Sequence, residues 1–141
     1  MLELLIVVAI ISIGLAVALP KIQTQGRRQR VDRMAITVAA DLRSAFTAAA
    51  RARVPVRVSI PGDTIGYALI NKVTGDSIVR RRFGGGDVKV TGKSGGAMTL
   101  DVFPNGVSSG TDTILVKAMR SATAYTRKVS VSRVGFVRVI P

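Results

Sequence analysis

The sequence contains no cysteine, no histidine and no tryptophan, and its 141 residues include only two tyrosines and four phenylalanines. Without cysteine the chain cannot form a disulfide. Without cysteine and histidine it also lacks the residues of the usual zinc sites and nucleophile–histidine catalytic arrangements. The few acidic residues are scattered singly, so no carboxylate pair is in place for acid–base catalysis. We therefore expect no enzymatic activity, no metal site and no cofactor.

Acidic residues are scarce relative to basic ones, with 8 Asp and Glu against 21 Lys and Arg and a net charge of +13. A field of this sign favours polyanions such as nucleic acid, anionic lipid headgroups or acidic proteins. A basic surface that serves solubility in an arginine-rich genome is an equally good interpretation. The triplet at positions 80–82 is not expected to form one patch, because Arg81 would face opposite to Arg80 and Arg82 in a strand.

The one long hydrophobic run lies at the start of the chain, at residues 4–19, with Ser12 as its single polar side chain. Glu3 directly precedes the run and Pro20 follows it. Because about 20 apolar residues cross a bilayer, the run predicts a single membrane anchor. A cleaved secretory signal is the alternative, since Ala-Val-Ala at positions 16–18 could serve as a cleavage site. No Lys or Arg precedes the run, however, and this favours a retained anchor.

Three residues of this segment have predicted mechanical roles. A carboxylate at the centre of a membrane helix raises the free energy of insertion by about 2.5–3.5 kcal/mol, so we expect Glu3 to pair with another group and to have a function. Glycine weakens a helix and proline removes a backbone hydrogen bond, so Gly14 and Pro20 predict a kink. Pro20 could instead mark only the membrane boundary.

A helical pattern continues over residues 21–53. Apolar side chains recur at three- and four-residue steps and form one stripe, which contains Val31, Met34, Ala35, Val38, Leu42, Ala45, Phe46 and Ala49. Pro55 then disfavours further helix. The simplest interpretation is one helix of about fifty residues, on the order of 75 Å long. Its segment 1–20 would lie in lipid or a filament core, and segment 21–53 would pack on a domain.

After Pro55 the hydrophobic period changes to that of strands. The pattern predicts strands at residues 54–60, 65–71, 77–83, 88–91, 98–103, 113–119, 126–132 and 134–140. Short turns rich in glycine separate them, which indicates antiparallel pairing, and Gly135 predicts a bend before the last strand. Residues 54–141 are therefore expected to form a mainly antiparallel β-sheet domain, covered by the helix in an α+β fold.

The N-terminal segment, an acid followed by an apolar run to a proline, resembles the start of type IV pilins and type II secretion pseudopilins. Further along, Ala-Ala-Asp-Leu-Arg-Ser-Ala at positions 39–45 and Arg-Ala-Arg-Val-Pro-Val at positions 51–56 are similar to the GspH/FimT minor pseudopilins. So are Phe-Pro-Asn-Gly at positions 103–106 and the pattern from Val129 to Arg138. Mature members begin Phe-Thr-Leu-x-Glu, and Met1 stands where that leucine would be. The resemblance thus predicts a truncated N-terminus.

The resemblance implies a pilin-like fold and a role as a minor pseudopilin in the periplasmic filament of a type II secretion system. The alternative is a minor pilin of a type IV pilus, acting in pilus assembly or in DNA uptake. Either role implies a methylated, single-pass inner-membrane protein with its C-terminal domain in the periplasm. The implied partners are other pilin or pseudopilin subunits and the inner-membrane assembly platform. Glu3 would pair with a neighbouring subunit's N-terminal amine in the filament core.

The basic residues near the C-terminus are the candidate nucleic-acid site, and they are Arg127, Lys128, Arg133 and Arg138. Some FimT-like proteins carry Gly-Arg-x-Arg in this region and bind DNA. This chain has Gly135, Phe136, Val137 and Arg138 there, with Phe136 in place of the first arginine. The resemblance therefore supports a DNA contact only at Arg138.

Overall fold

The computed structural model describes residues 2–62, 66–83, 88–93, 95–118 and 125–141, without the side chains of residues 17–21. One helix, α1, spans Leu2–Ala52, as the helical pattern predicts. Arg53 has a positive φ of 54° and so ends the helix with a left-handed residue. Pro55 reinforces this end, because proline disfavours helical conformation in the residue before it.

The second half of α1 packs its apolar stripe into the core of the protein. Val31, Ala35, Val38, Leu42, Ala45 and Ala49 of the predicted stripe are at most 1% exposed, and Met34 and Phe46 are partly buried against them. Burial of each large aliphatic side chain contributes about 1.5–3 kcal/mol. Tertiary packing of this stripe therefore holds the second half of the helix in place.

Within the described residues, eight strands follow the helix, and all but the first and the last lie within one residue of a predicted segment. They are β1 Val56–Ile60, β2 Gly66–Asn71, β3 Ser77–Arg82, β4 Val88–Gly92, β5 Met98–Val102, β6 Asp112–Ala118, β7 Thr126–Val131 and β8 Val137–Ile140. The last strand begins three residues later than predicted, because a tight turn occupies the preceding residues. Gly135 provides the positive φ of 81° in that turn and so makes the predicted bend.

The strands form two antiparallel sheets where the sequence pattern indicated a single sheet. The first sheet has the order β3-β2-β1-β5, and the second sheet has the order β4-β6-β7-β8. β5 pairs with β1 across the intervening strands, so this pairing depends on long-range register. The α+β class and the antiparallel pairing are confirmed, and the division into two sheets is a new finding.

The core lies between the helix and the inner faces of both sheets. Val58 and Leu100 face it from the first sheet, and Val116 and Val129 face it from the second; all four are at most 1% exposed. The helix contacts β1 and β5 on one side and β6, β7 and β8 on the other. One helix therefore joins the two sheets into a single packed unit.

Candidate functional site

The first half of α1 exposes a continuous apolar surface. Every described side chain of residues 2–16 is exposed, and its large hydrophobic residues are between 51% and 73% accessible. Soluble monomers rarely expose a continuous apolar patch larger than a few hundred Å². This half of the helix therefore requires an apolar environment that the rest of the chain does not supply.

Within the described part of the chain, no helix has an apolar stretch long enough to span a membrane. The predicted anchor, residues 4–19, ends in residues 17–19, whose side chains lie outside the described set.

The three predicted mechanical residues lie in or next to this apolar half. Glu3 is exposed in the first turn of α1, where the helix dipole favours a carboxylate. Gly14 is exposed, and a Cβ added there would meet no atom within 4 Å. The helix is continuous through Gly14 and position 20, but the side chain of Pro20 lies outside the described residues. The roles of all three stay predictions.

A first side-chain cluster attaches the helix to the second sheet. Arg127 of β7 donates a hydrogen bond from Nε to Oδ1 of Asp32 at 2.5 Å, and the Tyr125 hydroxyl donates to the same oxygen at 3.2 Å. The guanidinium carbons of Arg28 and Arg127 lie 5.5 Å and 5.3 Å from the centre of the Tyr125 ring. The hydrogen bond from Arg127 holds the pKa of Asp32 below its ordinary value, against a smaller effect of burial.

A second cluster of the same composition attaches the helix to the first sheet. The Tyr67 hydroxyl donates to Oδ2 of Asp41 at 2.6 Å. Arg81 donates from Nε to Oδ2 at 2.8 Å and from Nη2 to Oδ1 at 3.2 Å. Burial alone would raise the pKa of Asp41, but the bonds from Arg81 and Tyr67 outweigh it and leave that pKa lowered. Burial and the neighbouring carboxylate raise the pKa of Tyr67, so its hydroxyl stays protonated.

These two Tyr–Asp–Arg clusters, which we call the clamps, were not predicted from the sequence. They use both tyrosines of the chain and the two aspartates of the helix. Asp32 and Asp41 are nine residues apart, or about two and a half helical turns, so they project from opposite sides of α1. Each aspartate therefore meets a different sheet, and the two clamps fix the helix against the domain.

A third ion cluster lies on the outer face of the first sheet. Arg57 binds Asp101 through Nε and Nη2 at 2.7 Å and 3.0 Å, and Lys72 binds it at 2.7 Å. The hydrogen bond from Arg57, with a smaller contribution from Lys72, lowers the pKa of Asp101 to about 2. Three aspartates, one in each cluster, are thus held in ion pairs within the protein. Much of the remaining surface is left strongly basic.

The four predicted nucleic-acid-binding residues do not form one site. Arg127 is held in the first clamp, on the inner side of β7. Lys128 is exposed on the outer face of β7. Arg138 of β8 is exposed on the same face, because it pairs with Ser130, which is two residues from Lys128 and therefore faces the same way. Arg133 is exposed in the turn between the two strands. Only Lys128 and Arg138 are therefore brought together on one face.

The arginine triplet of β3 is divided between two faces, as the strand pattern predicts. Arg81 points to the helix and binds Asp41, while Arg80 and Arg82 are exposed on the opposite face. The triplet is therefore not a single basic patch.

A long N-terminal helix whose second half packs on antiparallel sheets is the architecture of the pilins, and this chain has the pilin fold. The similar solved structures are two crystal forms of the type IV minor pilin FimU of Pseudomonas aeruginosa strain PAO1. One aligns with a TM-score of 0.63 and 20% identity over 81% of this chain and 90% of that chain. The other aligns with a TM-score of 0.56 and 18% identity over 83% and 92%. No family model matches this chain, and no curated protein matches its sequence.

Proposed function

We propose that this protein is a minor subunit of a periplasmic filament of the type IV pilin kind, with a structural and not an enzymatic role. The observation that carries the proposal is the exposed apolar half of α1, which is continuous with a half that is packed into the domain. A subunit of this shape hides its apolar half either in a bilayer or among the helices of other subunits. Residues 4–19 would serve in both environments, first as the inner-membrane anchor and then in the filament core.

The clamps support this role mechanically. A helix that carries the assembly contacts must transmit its position to the domain, and two charged clusters on opposite sides of α1 prevent it from rotating or sliding. Charge-assisted hydrogen bonds of this kind are directional, so they fix orientation as well as distance.

Glu3 is the proposed assembly residue. In an apolar helix bundle an unpaired carboxylate is costly, whereas a paired one selects a single arrangement. The partner would be the N-terminal amine of a neighbouring subunit. Gly14 and Pro20 would let the helix bend as it leaves the membrane and packs against its neighbours.

The sequence resemblance to GspH favours a type II secretion pseudopilus as the particular machine, with other pseudopilins and the inner-membrane platform as partners. The second candidate is a type IV pilus, which is supported by the likeness in fold to the minor pilin FimU. A strain that lacks this chain distinguishes them. Loss of enzyme secretion with normal surface pili supports the pseudopilus, and loss of pili or of DNA uptake with normal secretion supports the pilus.

The filament role is tested by returning full-length variants to that strain and measuring the protein in sheared filaments and in membranes. Glu3→Leu should remove the protein from filaments and leave its membrane level unchanged. Glu3→Gln, which has the same shape but no charge, should show the same loss if the charge is what selects the arrangement. Normal incorporation of Glu3→Leu would contradict the role of Glu3. Absence of the unaltered chain from any filament would contradict the proposed function itself.

A further inference from the structure

The outer side of the C-terminal hairpin presents apolar and basic side chains in alternation. Phe136 precedes β8 and is 73% exposed, and Ile140 ends β8 and is 41% exposed. Arg138 shares its side with Ile140, because every second residue of a strand faces the same way. The bond from the Ser132 amide to the Phe136 carbonyl continues the pairing of the two strands, which places Phe136 on this side too. Lys128 of β7 is directly opposite Ile140 and diagonal to Arg138. These four residues form the surface that we call the C-terminal strip.

The strip is held rigid by the turn beneath it. The Ser132 amide donates to the carbonyl of Phe136 at 2.9 Å, and the Phe136 amide donates to Oγ of Ser132 at 3.1 Å. A Cβ on Gly135 would lie 3.2 Å from the ring of Phe46, so the turn rests directly on the helix. The exposure of Phe136 is therefore a property of an ordered hairpin. Little conformational freedom is lost when such a surface binds a partner.

The chemistry of the strip fits a protein better than a nucleic acid or a membrane. Exposed aromatic and aliphatic residues beside arginine are typical of protein interfaces, whereas recognition of the phosphates of a duplex requires no apolar contact. β7 runs in the direction of the helix. Arg127 near the start of the strand binds Asp32, and Gly135 in the turn after the strand lies next to Phe46, further along the helix. The strip thus lies along the helix axis, and a bilayer crossed by the helix would not lie flat against it.

The same strip on a second copy of this chain does not supply a complementary surface. Self-pairing of the strip would bring Lys128 and Arg138 of two copies together, and like charges at an interface repel. Among the described residues, Asp32, Asp41 and Asp101 are held in internal ion pairs. The charge of the strip therefore favours a different and more acidic protein as its partner.

We propose that the C-terminal strip is a docking surface for an acidic, apolar-containing surface of a different protein. Lys128 and Arg138 would pair with carboxylates, and Phe136 and Ile140 would pack between them on aliphatic side chains. The inference does not depend on the filament role, and it is tested on the purified protein.

The test measures binding to the full-length protein in neutral lipid nanodiscs, with empty nanodiscs as the blank. The probes are a short peptide of alternating Glu and Val, a peptide of alternating Glu and Ser with the same charge, a DNA duplex of comparable charge, and phosphatidylglycerol vesicles. We expect the Glu–Val peptide to bind about tenfold more tightly than the Glu–Ser peptide, or about 1.4 kcal/mol. We also expect it to bind more tightly than the DNA or the vesicles.

Two matched double variants distinguish binding by the strip from binding by the overall positive charge of the protein. Lys128→Glu/Arg138→Glu and Arg80→Glu/Arg82→Glu reverse the same number of exposed strand cations, so their net charges are equal. The first pair should weaken Glu–Val binding at least tenfold and gain affinity for a Lys–Val peptide. The second should change Glu–Val binding less than twofold. Phe136→Ser should weaken Glu–Val binding and leave Glu–Ser binding unchanged.

Equal losses in the two double variants would overturn the proposal, because the whole basic field would then account for binding. Tighter binding of the DNA or of the vesicles through Lys128 and Arg138 would also overturn it and assign the strip to that ligand. Thermal unfolding of each variant identifies any that is misfolded. Phe136→Ser alters only an exposed side chain and so keeps the proposal testable if a charge variant fails to fold.

Discussion

Each tyrosine of this chain lies between an aspartate of the helix and an arginine of a strand. The two hydroxyls differ in surroundings, since Tyr67 is 4% exposed and bonds Asp41 at 2.6 Å, whereas Tyr125 is partly exposed and bonds Asp32 at 3.2 Å. An acceptor left unsatisfied in a buried site costs more than one that water can reach. At the residue scale, the two clamps should therefore contribute unequally to stability.

Tyr67→Phe should lower the free energy of unfolding by about 1–3 kcal/mol, because it removes a buried hydrogen bond to a charged group. Tyr125→Phe, the matched control, should cost clearly less, since solvent reaches Asp32 and the ring contacts with Arg28 and Arg127 remain. Chemical denaturation of the full-length protein, followed by far-ultraviolet circular dichroism, measures the unfolding free energies of both variants. Equal losses, or a larger loss at Tyr125, would contradict the assignment of the stronger clamp.

The two clamps could not be predicted from local patterns of the sequence. The scattered acids predict no carboxylate pair for catalysis, but this interpretation misses their structural use. The available signal was the presence of two acids on a helix with an apolar stripe, projecting from opposite sides of it. Their partners could not be identified, because Arg81 and Arg127 are 40 and 95 residues away from them and only the folded chain brings them close.

The C-terminal hairpin is the element that depends most on one glycine. Gly135 has a φ of 81°, and a Cβ added there would lie 3.2 Å from the ring of Phe46, so a side chain at this position would meet both backbone strain and a neighbour. A comparison of Gly135 with two other glycines separates the cost of backbone strain from the cost of the contact with Phe46. Gly75 has positive φ but open space around it, and Gly110 has open space with no positive φ.

Gly135→Ala should lower the unfolding free energy the most, by more than the roughly 1–2 kcal/mol of a left-handed residue alone. Gly75→Ala should cost about that amount, and Gly110→Ala should be close to neutral or slightly stabilising. Thermal unfolding of the three variants gives the order directly. If Gly135→Ala cost no more than Gly75→Ala, the contact with Phe46 would not restrict the hairpin.

Most of the charge of the protein is positive, and three carboxylates, two on the helix and one on a strand, are held in internal ion pairs. Asp32, Asp41 and Asp101 all have pKa values below the ordinary value, that of Asp101 being about 2. A carboxyl whose pKa is lower in the folded state stabilises the fold above its unfolded pKa and loses that contribution as it is protonated. Stability should therefore be complete above about pH 4 and fall between about pH 4 and pH 2.

Thermal midpoints measured from pH 7 to pH 2 test this expectation. Asp101→Asn should be less stable than the unaltered protein at pH 7, and the difference should shrink as the pH falls through the window in which Asp101 is protonated. Asp76→Asn, which removes one exposed carboxyl outside the ion pairs that the structure shows, is the matched control and should be close to the unaltered protein in stability at pH 7. A constant difference for Asp101→Asn across the range would show that its ion pairs do not carry the pH dependence.

Local patterns of the sequence were enough to predict the helix, the strands of the described residues and the bend at Gly135, because hydrophobic period, proline and glycine act within a few residues. They also determined which residues of the helix are buried, since one stripe can face only one core. Tertiary structure alone decided that the strands form two sheets, that each helix aspartate meets its own tyrosine and arginine, and that Lys128, Arg138 and Phe136 share one face. These depend on register between distant strands, where a shift of one residue moves every side chain to the other face.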